Sequence, residues 1–264
     1  MKGMRNEHVP PHVDETTNTF YHKHLDTHKS SDLSRNRRTF STPKDHPLAL
    51  PRIIAHRGVT DHLAENSLAA FREAVRLGLD GVELDVHAGP SGHLFVQHDD
   101  LPAGDSVAEE GLLQLTEALD VIGTGALEAW IEIKCLPETA DERLLATIDA
   151  APRPDLCRVH SFDHRIIARL GRKRQGVPLG ILSSSYPVDP VAELRNAGAN
   201  TLWQHWRLID EDLVRQVGKI GGQVIAWTVN EPQVASRLAS WGVWGLCSDE
   251  AVRIGAGEFG ARGK

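Results

Sequence analysis

From Pro51 onward short apolar runs alternate with amphipathic stretches, and this alternation restricts the possible folds more than any other property of the chain. The pattern predicts strands over 53–58, 81–87, 93–97, 129–135, 156–160, 179–183, 201–205 and 223–229, with a last extended segment at 245–248. Between them helical spacing recurs over 66–77, 113–122, 138–150, 163–173, 190–197, 211–220 and 232–241. In the first of these, Leu68, Phe71 and Val75 share a face and Gly78 supplies the stop. Such alternation argues for parallel strands joined by crossover helices, and eight units predict a closed (β/α)8 TIM barrel. An open doubly wound sheet is the rival. It is disfavoured because ionisable residues recur at strand ends from the first unit to the last, and a barrel mouth gathers these together. One joint breaks the rule. Only residues 87–92 separate Val86 from His93, too few for a crossover helix. The barrel is therefore expected to be irregular near its second and third strands, or to join them by a turn.

The strand ends carry the chemistry. His56-Arg57-Gly58 closes the first apolar run, Glu83-Leu84-Asp85 lies in the second, and His98-Asp99-Asp100 follows the third. Side chains alternate along a strand, so Glu83 and Asp85 share one face while Val82, Leu84 and Val86 form the apolar one. Two carboxylates on one face repel unless a cation lies between them, which invites a divalent metal. Glu132 and Lys134 likewise share the face opposite Ile131 and Ile133, directed at the barrel lumen or mouth. A plain salt bridge between them is the competing reading. Two histidines, an arginine and paired carboxylates make an inventory for cleaving a phosphate ester on a metal. A phosphodiester repels an incoming oxygen and has a poor leaving group, so it needs cations, a base and an acid. General acid–base help contributes about 10²–10⁴ per group, so metal and arginine electrostatics must supply the larger share.

The motifs Ile-Ala-His-Arg-Gly (54–58), Glu-Asn-Ser-Leu-Ala-Ala-Phe (65–71), Gly-Val-Glu-Leu-Asp-Val (81–86) and His-Asp-Asp (98–100) resemble the glycerophosphodiester phosphodiesterase family, of the PLC-like phosphodiesterase superfamily. So do Ile-Glu-Ile-Lys (131–134), Ser161-Phe162-Asp163-His164 and Ala226-Trp227-Thr228-Val229-Asn230, in the same order along the chain. The resemblance implies a TIM barrel and hydrolysis of a glycerophosphodiester to an alcohol and glycerol 3-phosphate. It implies one divalent cation, Mg²⁺ or Ca²⁺, held by Glu83, Asp85 and Glu132, an all-oxygen set that argues against zinc. Arg57 would fork onto phosphate oxygens and Lys134 would add a point charge. His56 and His98 would be acid and base, in either order. In the family picture a substrate hydroxyl attacks first and water then opens a cyclic phosphate. Trp227 either stacks on the alcohol or packs in the core. Phe162 is a substrate-binding candidate, with Ser161 and Asn230 in a second rank at the mouth. Glu65 and Asn66 are expected to anchor the first βα loop, with Asn66 as the helix N-cap. Asp249 reads as structural, His62, His87, His93, His160, His164 and His205 receive no role, and Trp203, Trp206, Trp241 and Trp244 read as packing.

The chain's 264 residues suit one barrel, placed over 51–256 and flanked by flexible segments at 1–50 and 257–264. Residues 1–46 hold eight Lys+Arg against six Asp+Glu, while the remainder holds 21 against 30. An acidic body opposes nucleic-acid binding, which needs a basic stripe. The first segment is poor in aliphatic residues and carries six of the fourteen histidines, a composition that cannot bury enough apolar surface to order itself. Cys135, Cys157 and Cys247 read as small buried residues in a reduced compartment. With no apolar run near the ~20 residues of a membrane span and no secretion signal, stable membrane insertion is not expected and a cytoplasmic site is.

One stretch departs from the family pattern. Only 101–107 and an acidic turn stand where the family carries a small inserted subdomain, so an open mouth is expected to admit larger alcohols. The expected partner is a small glycerophosphodiester or a lysolipid; oligomeric state is left open. A lysophospholipase-D or sphingomyelinase-D-like hydrolase is the rival enzyme. A silent barrel that binds phosphorylated ligands is the rival of another class.

Overall fold

The computed structural model describes residues 49–100 and 109–256. The expected flexible segments (1–50, save its last two residues, and 257–264) and the shortened insertion at 101–107 lie outside the described residues. Nine strands form one sheet: β1 (Arg52–Ala55), β2 (Gly81–Ala88), β3 (Leu94–Val96), β4 (Glu128–Cys135), β5 (Cys157–Ser161), β6 (Leu179–Ser183), β7 (Thr201–His205), β8 (Gln223–Trp227) and β9 (Gly245–Ser248). Eight are parallel, and β1 pairs with both β2 and β9 to close the ring. The helices are α1 (Leu68–Leu77), α2 (Leu115–Ile122), α3 (Asp141–Ala150), α4 (His164–Lys173), α5 (Pro190–Ala197), α6 (Glu211–Lys219), α7 (Pro232–Ser240) and α8 (Ala251–Ala256).

The expected number of barrel strands is right, but one member is not. The 93–97 run does not join the ring: β3 folds back antiparallel on β2, pairing Val86 with Val96 and Ala88 with Leu94. The turn between them is closed by Gly92 N–H on the Gly89 carbonyl at 2.9 Å. Six residues reverse a chain but cannot carry a helix across a sheet. The eighth place goes to β9, the segment at 245–248.

Strand parity divides the core. Val82, Leu84, Ile131, Ile133, Val159, Leu202 and Ala226 face outward into one large cluster with the helices. Ile54, Trp130, Leu182, Trp203, Ile225 and Cys247 fill the lumen. Above that apolar floor the inward positions of β2 and β4 are Glu83, Asp85, Glu132 and Lys134, with Asp85 beside Glu132 in register. Four βα loops end on a side chain that caps the next helix: Ser67, Asp163, Asp189 and Asp210 accept backbone N–H groups at the starts of α1, α4, α5 and α6. The cap of α1 is thus Ser67 and not Asn66, because Asn66 has φ 51° and its side chain is turned elsewhere. Cys157 and Cys247 are buried as expected, but Cys135 is exposed. A register shift between Val86 and His87 pairs Cys135 with His87 at the open end of β4.

Candidate active site

The turn after β1 is shaped by two backbone conformations. Arg57 has φ 56°, a left-handed conformation uncommon for a non-glycine residue. Gly58 follows at φ 89°, and a Cβ there would lie 2.7 Å from the Ala70 Cβ of α1. Only glycine fits. The turn aims Arg57 N–H at Glu83 Oε2 (3.1 Å) and its guanidinium at Asp85 Oδ2 (Nε at 3.2 Å) and Glu65 (Nη1 at 2.9 Å). Glu65 thus anchors the first βα loop as expected. Asn66 braces the acid cluster: its Nδ2 donates to Asp85 Oδ2 at 2.8 Å and its Oδ1 accepts Asp85 N–H at 3.3 Å.

Lys134 bridges two carboxylates, with Nζ 3.0 Å from Asp85 Oδ1 and 2.7 Å from Glu132 Oε1. The Glu132–Lys134 salt bridge therefore exists, within a larger cluster. Three buried acids face two cations, which leaves the cluster short of positive charge. Burial, followed by the charges of Asp85 and Glu132, pushes the Glu83 carboxyl well above its ordinary range. Burial also raises Glu132, against the pull of Lys134. Glu83 Oε1 is buried with no hydrogen-bond partner among the described residues. An unpartnered carboxylate oxygen in a cation-poor nest of hard donors fits a divalent ion.

His56, Arg57, Glu83, His98, Glu132 and Lys134 line one cavity of about 160 Å³ over the Trp203 floor, and Phe162 and Trp227 form part of its wall. The His56 Nε2 stands 3.9 Å from Glu83 Oε2, while its Nδ1–H donates to Asp249 Oδ1 at 2.6 Å. Asp249 is held in turn by Asn230 Nδ2 at 2.9 Å, and its carboxyl lies below the ordinary range, chiefly through the His56 bond. His98 sits at the outer edge with Nδ1–H on Asp99 Oδ1 (2.9 Å) and its carbonyl near His87 Nε2 (3.4 Å). Phe162 is 46% exposed and meets Trp227 edge to face at 5.5 Å. Ser161 lines a groove with Lys134 and Phe162, its hydroxyl donating to the Ile133 carbonyl at 2.7 Å, and Asn230 brackets Asp249.

Two residues in the site escaped the sequence reading. Asp249 lies two positions beyond inward-facing Cys247, a parity that signals it. His160 is fully buried beside Glu132 in register, and burial depresses its pKa well below the ordinary value. Its parity with Arg158 on β5 was the available clue.

The model of the glycerophosphoryl diester phosphodiesterase family matches residues 56–110 and 107–253. The chain belongs to that family. A glycerophosphodiester phosphodiesterase of Caldanaerobacter subterraneus subsp. tengcongensis is 27% identical over 227 residues, spanning 75% of this chain and 93% of the relative. Glycerophosphodiester phosphodiesterase GDPD4 of Arabidopsis thaliana is 25% identical over 229 residues, 73% of this chain and 69% of that one. Among solved structures, an Oleispira antarctica phosphodiesterase in complex with the product sn-glycerol-3-phosphate superposes with a TM-score of 0.69 at 24% identity, covering 78% of this chain and 96% of that one. A Parabacteroides distasonis glycerophosphodiester phosphodiesterase gives 0.73 at 20% identity, covering 81% and 99%. These likenesses establish the TIM barrel. No described helix is long and apolar enough to cross a membrane.

Proposed function

We propose that this family member hydrolyses glycerophosphodiesters to an alcohol and glycerol 3-phosphate, using one divalent cation held by Glu83, Asp85 and Glu132. The observation that carries the reading is the unpartnered Glu83 Oε1 in a cation-poor acid cluster, in the same cavity as His56, His98, Arg57 and Lys134. A bound cation would supply Lewis-acid polarisation of a phosphate oxygen. The protein's own groups do the rest. Arg57 and Lys134 hold the anionic phosphate, and the buried setting strengthens their pull on charge that builds in the transition state. His56 accepts the proton of the attacking hydroxyl through Nε2, since Asp249 holds the Nδ1–H and stabilises the imidazolium that forms. His98, at the outer edge, gives a proton to the departing alcohol oxygen; it then takes one from the water that opens the cyclic phosphate, while His56 returns its own to the freed glycerol hydroxyl. The 1–50 segment is proposed as a tail that the catalytic barrel over 51–256 does not require.

The test is product analysis with glycerophosphoethanolamine, in EDTA and after Mg²⁺ or Ca²⁺ is restored. Ethanolamine release that depends on the cation supports the proposal, and equal release in EDTA refutes the metal. A second reading, a lysolipid hydrolase, is favoured by one observation: the exposed Phe162 beside Trp227 offers apolar surface at the mouth. Equal or better turnover of glycerophosphocholine than of its lysolipid counts against it.

A further inference from the structure

The proposed ligands leave a buried imidazole in the cavity without a task. His160 is wholly buried, and both its ring nitrogens lack a partner among the described residues. Its ring is not loose. It stacks on Trp203 at 4.2 Å and 6°, while Trp130 meets it edge-on at 5.9 Å. Gly180 makes room for that stack, since a Cβ there would come within 3.2 Å of the His160 Cβ and 3.3 Å of the Trp203 ring. A packing residue at this place would need no ring nitrogens, and a hydrogen-bonding residue would have used one.

The nearest chemistry is the acid cluster. One donor atom each from Glu83, Glu132 and His160 lie within 4.8 Å of one another. Asp85 adjoins that trio through Lys134, which it shares with Glu132. Arg57 Nε, Asp85 Oδ1 and Glu132 Oε1 are engaged in ion pairs, so the ionisable atoms of this nest with neither a hydrogen bond nor an ion pair are a carboxylate oxygen, Glu83 Oε1, and the imidazole nitrogens.

We infer that His160 is a nitrogen ligand of the cation, beside the carboxylates, and that it tilts the site toward first-row transition-metal ions over Mg²⁺ and Ca²⁺. The inference rests on the cation reading above and sharpens it. Hard oxygen shells suit Mg²⁺ and Ca²⁺, whereas one imidazole in the shell favours first-row transition metals. The all-oxygen set of Glu83, Asp85 and Glu132 proposed above becomes a mixed one that includes an imidazole.

Pulsed electron paramagnetic resonance on the full-length protein loaded with Mn²⁺ reads this directly, together with Mn²⁺ and Mg²⁺ titrations by calorimetry. The expected result is ¹⁴N modulation from a histidine, replaced by the ¹⁵N pattern on ¹⁵N-histidine labelling. His160→Gln should abolish the modulation and weaken Mn²⁺ by about tenfold or more, the scale on which even supporting residues act, while Mg²⁺ changes less. Mn²⁺ that binds wild type without nitrogen modulation overturns the inference and leaves the cation reading standing. So does modulation that survives in His160→Gln. Absence of saturable Mn²⁺ and Mg²⁺ binding, or binding indifferent to Glu83→Gln, overturns the cation reading itself. Should His160→Gln not fold, modulation that persists in both His56→Ala and His98→Ala carries the assignment, and its loss in either refutes it.

Discussion

Replacing Glu83 by Gln should stabilise the metal-free protein while removing its response to cations. Glu83 is 2% exposed, it is repelled by Asp85 and Glu132, and its Oε1 makes no hydrogen bond. Glutamine keeps the shape and still accepts the Arg57 N–H through its amide oxygen, so the one bond Glu83 makes to the backbone survives. The variant loses a buried, under-compensated charge, and relief of such a group is worth about 2 kcal/mol. For a domain of this size that raises Tm by roughly 4–8 °C. Wild type should recover the difference when a cation binds, since occupancy at a hundredfold excess over Kd adds about 2.7 kcal/mol. Differential scanning fluorimetry in EDTA, and again with Mg²⁺ or Mn²⁺, should show the two melting curves exchanging order. A variant less stable than wild type in EDTA would refute the view that this cluster is strained by lack of positive charge. Equal stabilisation of both proteins by cation would refute the placement of the ion.

Further outcomes are expected from other parts of the molecule. His98→Ala should slow hydrolysis of an alkyl ester about 10²–10⁴-fold but barely affect a nitrophenyl ester, whose leaving group needs little protonation; equal losses in steady-state kinetics would reject its role as the acid. Asp249→Asn should lower kcat at least about tenfold with little change in Tm, because it frees the His56 tautomer without opening the core; unchanged kcat would return Asp249 to a scaffold role. Asp141 at the start of α3 is buried between Arg169 (2.8 Å) and Lys173 (3.0 Å); burial raises its carboxyl, but these bonds outweigh it and hold the group below the ordinary range. A depressed carboxylate stabilises the fold above the unfolded value near ~4 and loses that contribution as pH falls through the folded one. Asp141→Asn should therefore cost about 2 kcal/mol at neutral pH, reduced from a fully buried pair because Lys173 is partly exposed, and its urea midpoint should fall less steeply below pH 4 than that of wild type. Gly58→Ala should cost about 2–3 kcal/mol from left-handed strain and the clash with Ala70, with a matching drop in urea midpoint.

Much of the barrel was legible because the signals that build it are local. Segments 179–183, 190–197, 201–205 and 245–248 coincide with β6, α5, β7 and β9 residue for residue. Strand parity also foretold that Glu83, Asp85, Glu132 and Lys134 face inward, since a period of two is written in the chain. The 93–97 run was half legible: its short spacing from Val86 allowed the turn that is found, but apolar alternation is the same in a barrel strand and in a hairpin partner. Asn66 illustrates the same limit at a loop: its residue type suits an N-cap, yet a left-handed backbone and the carboxylate of Asp85 claim its side chain instead.

The amino-acid order by itself determined the repeating strand–helix units and the inward parity of the acids. Tertiary structure alone decided that β9 closes the ring, that Asp249 reaches His56 across 193 residues, and that His160 lies beside Glu132. Side-chain alternation is a property of neighbours along one strand, whereas register and closure depend on hydrogen bonds between strands far apart in the chain. Only those pairings bring the imidazoles and carboxylates into one cavity.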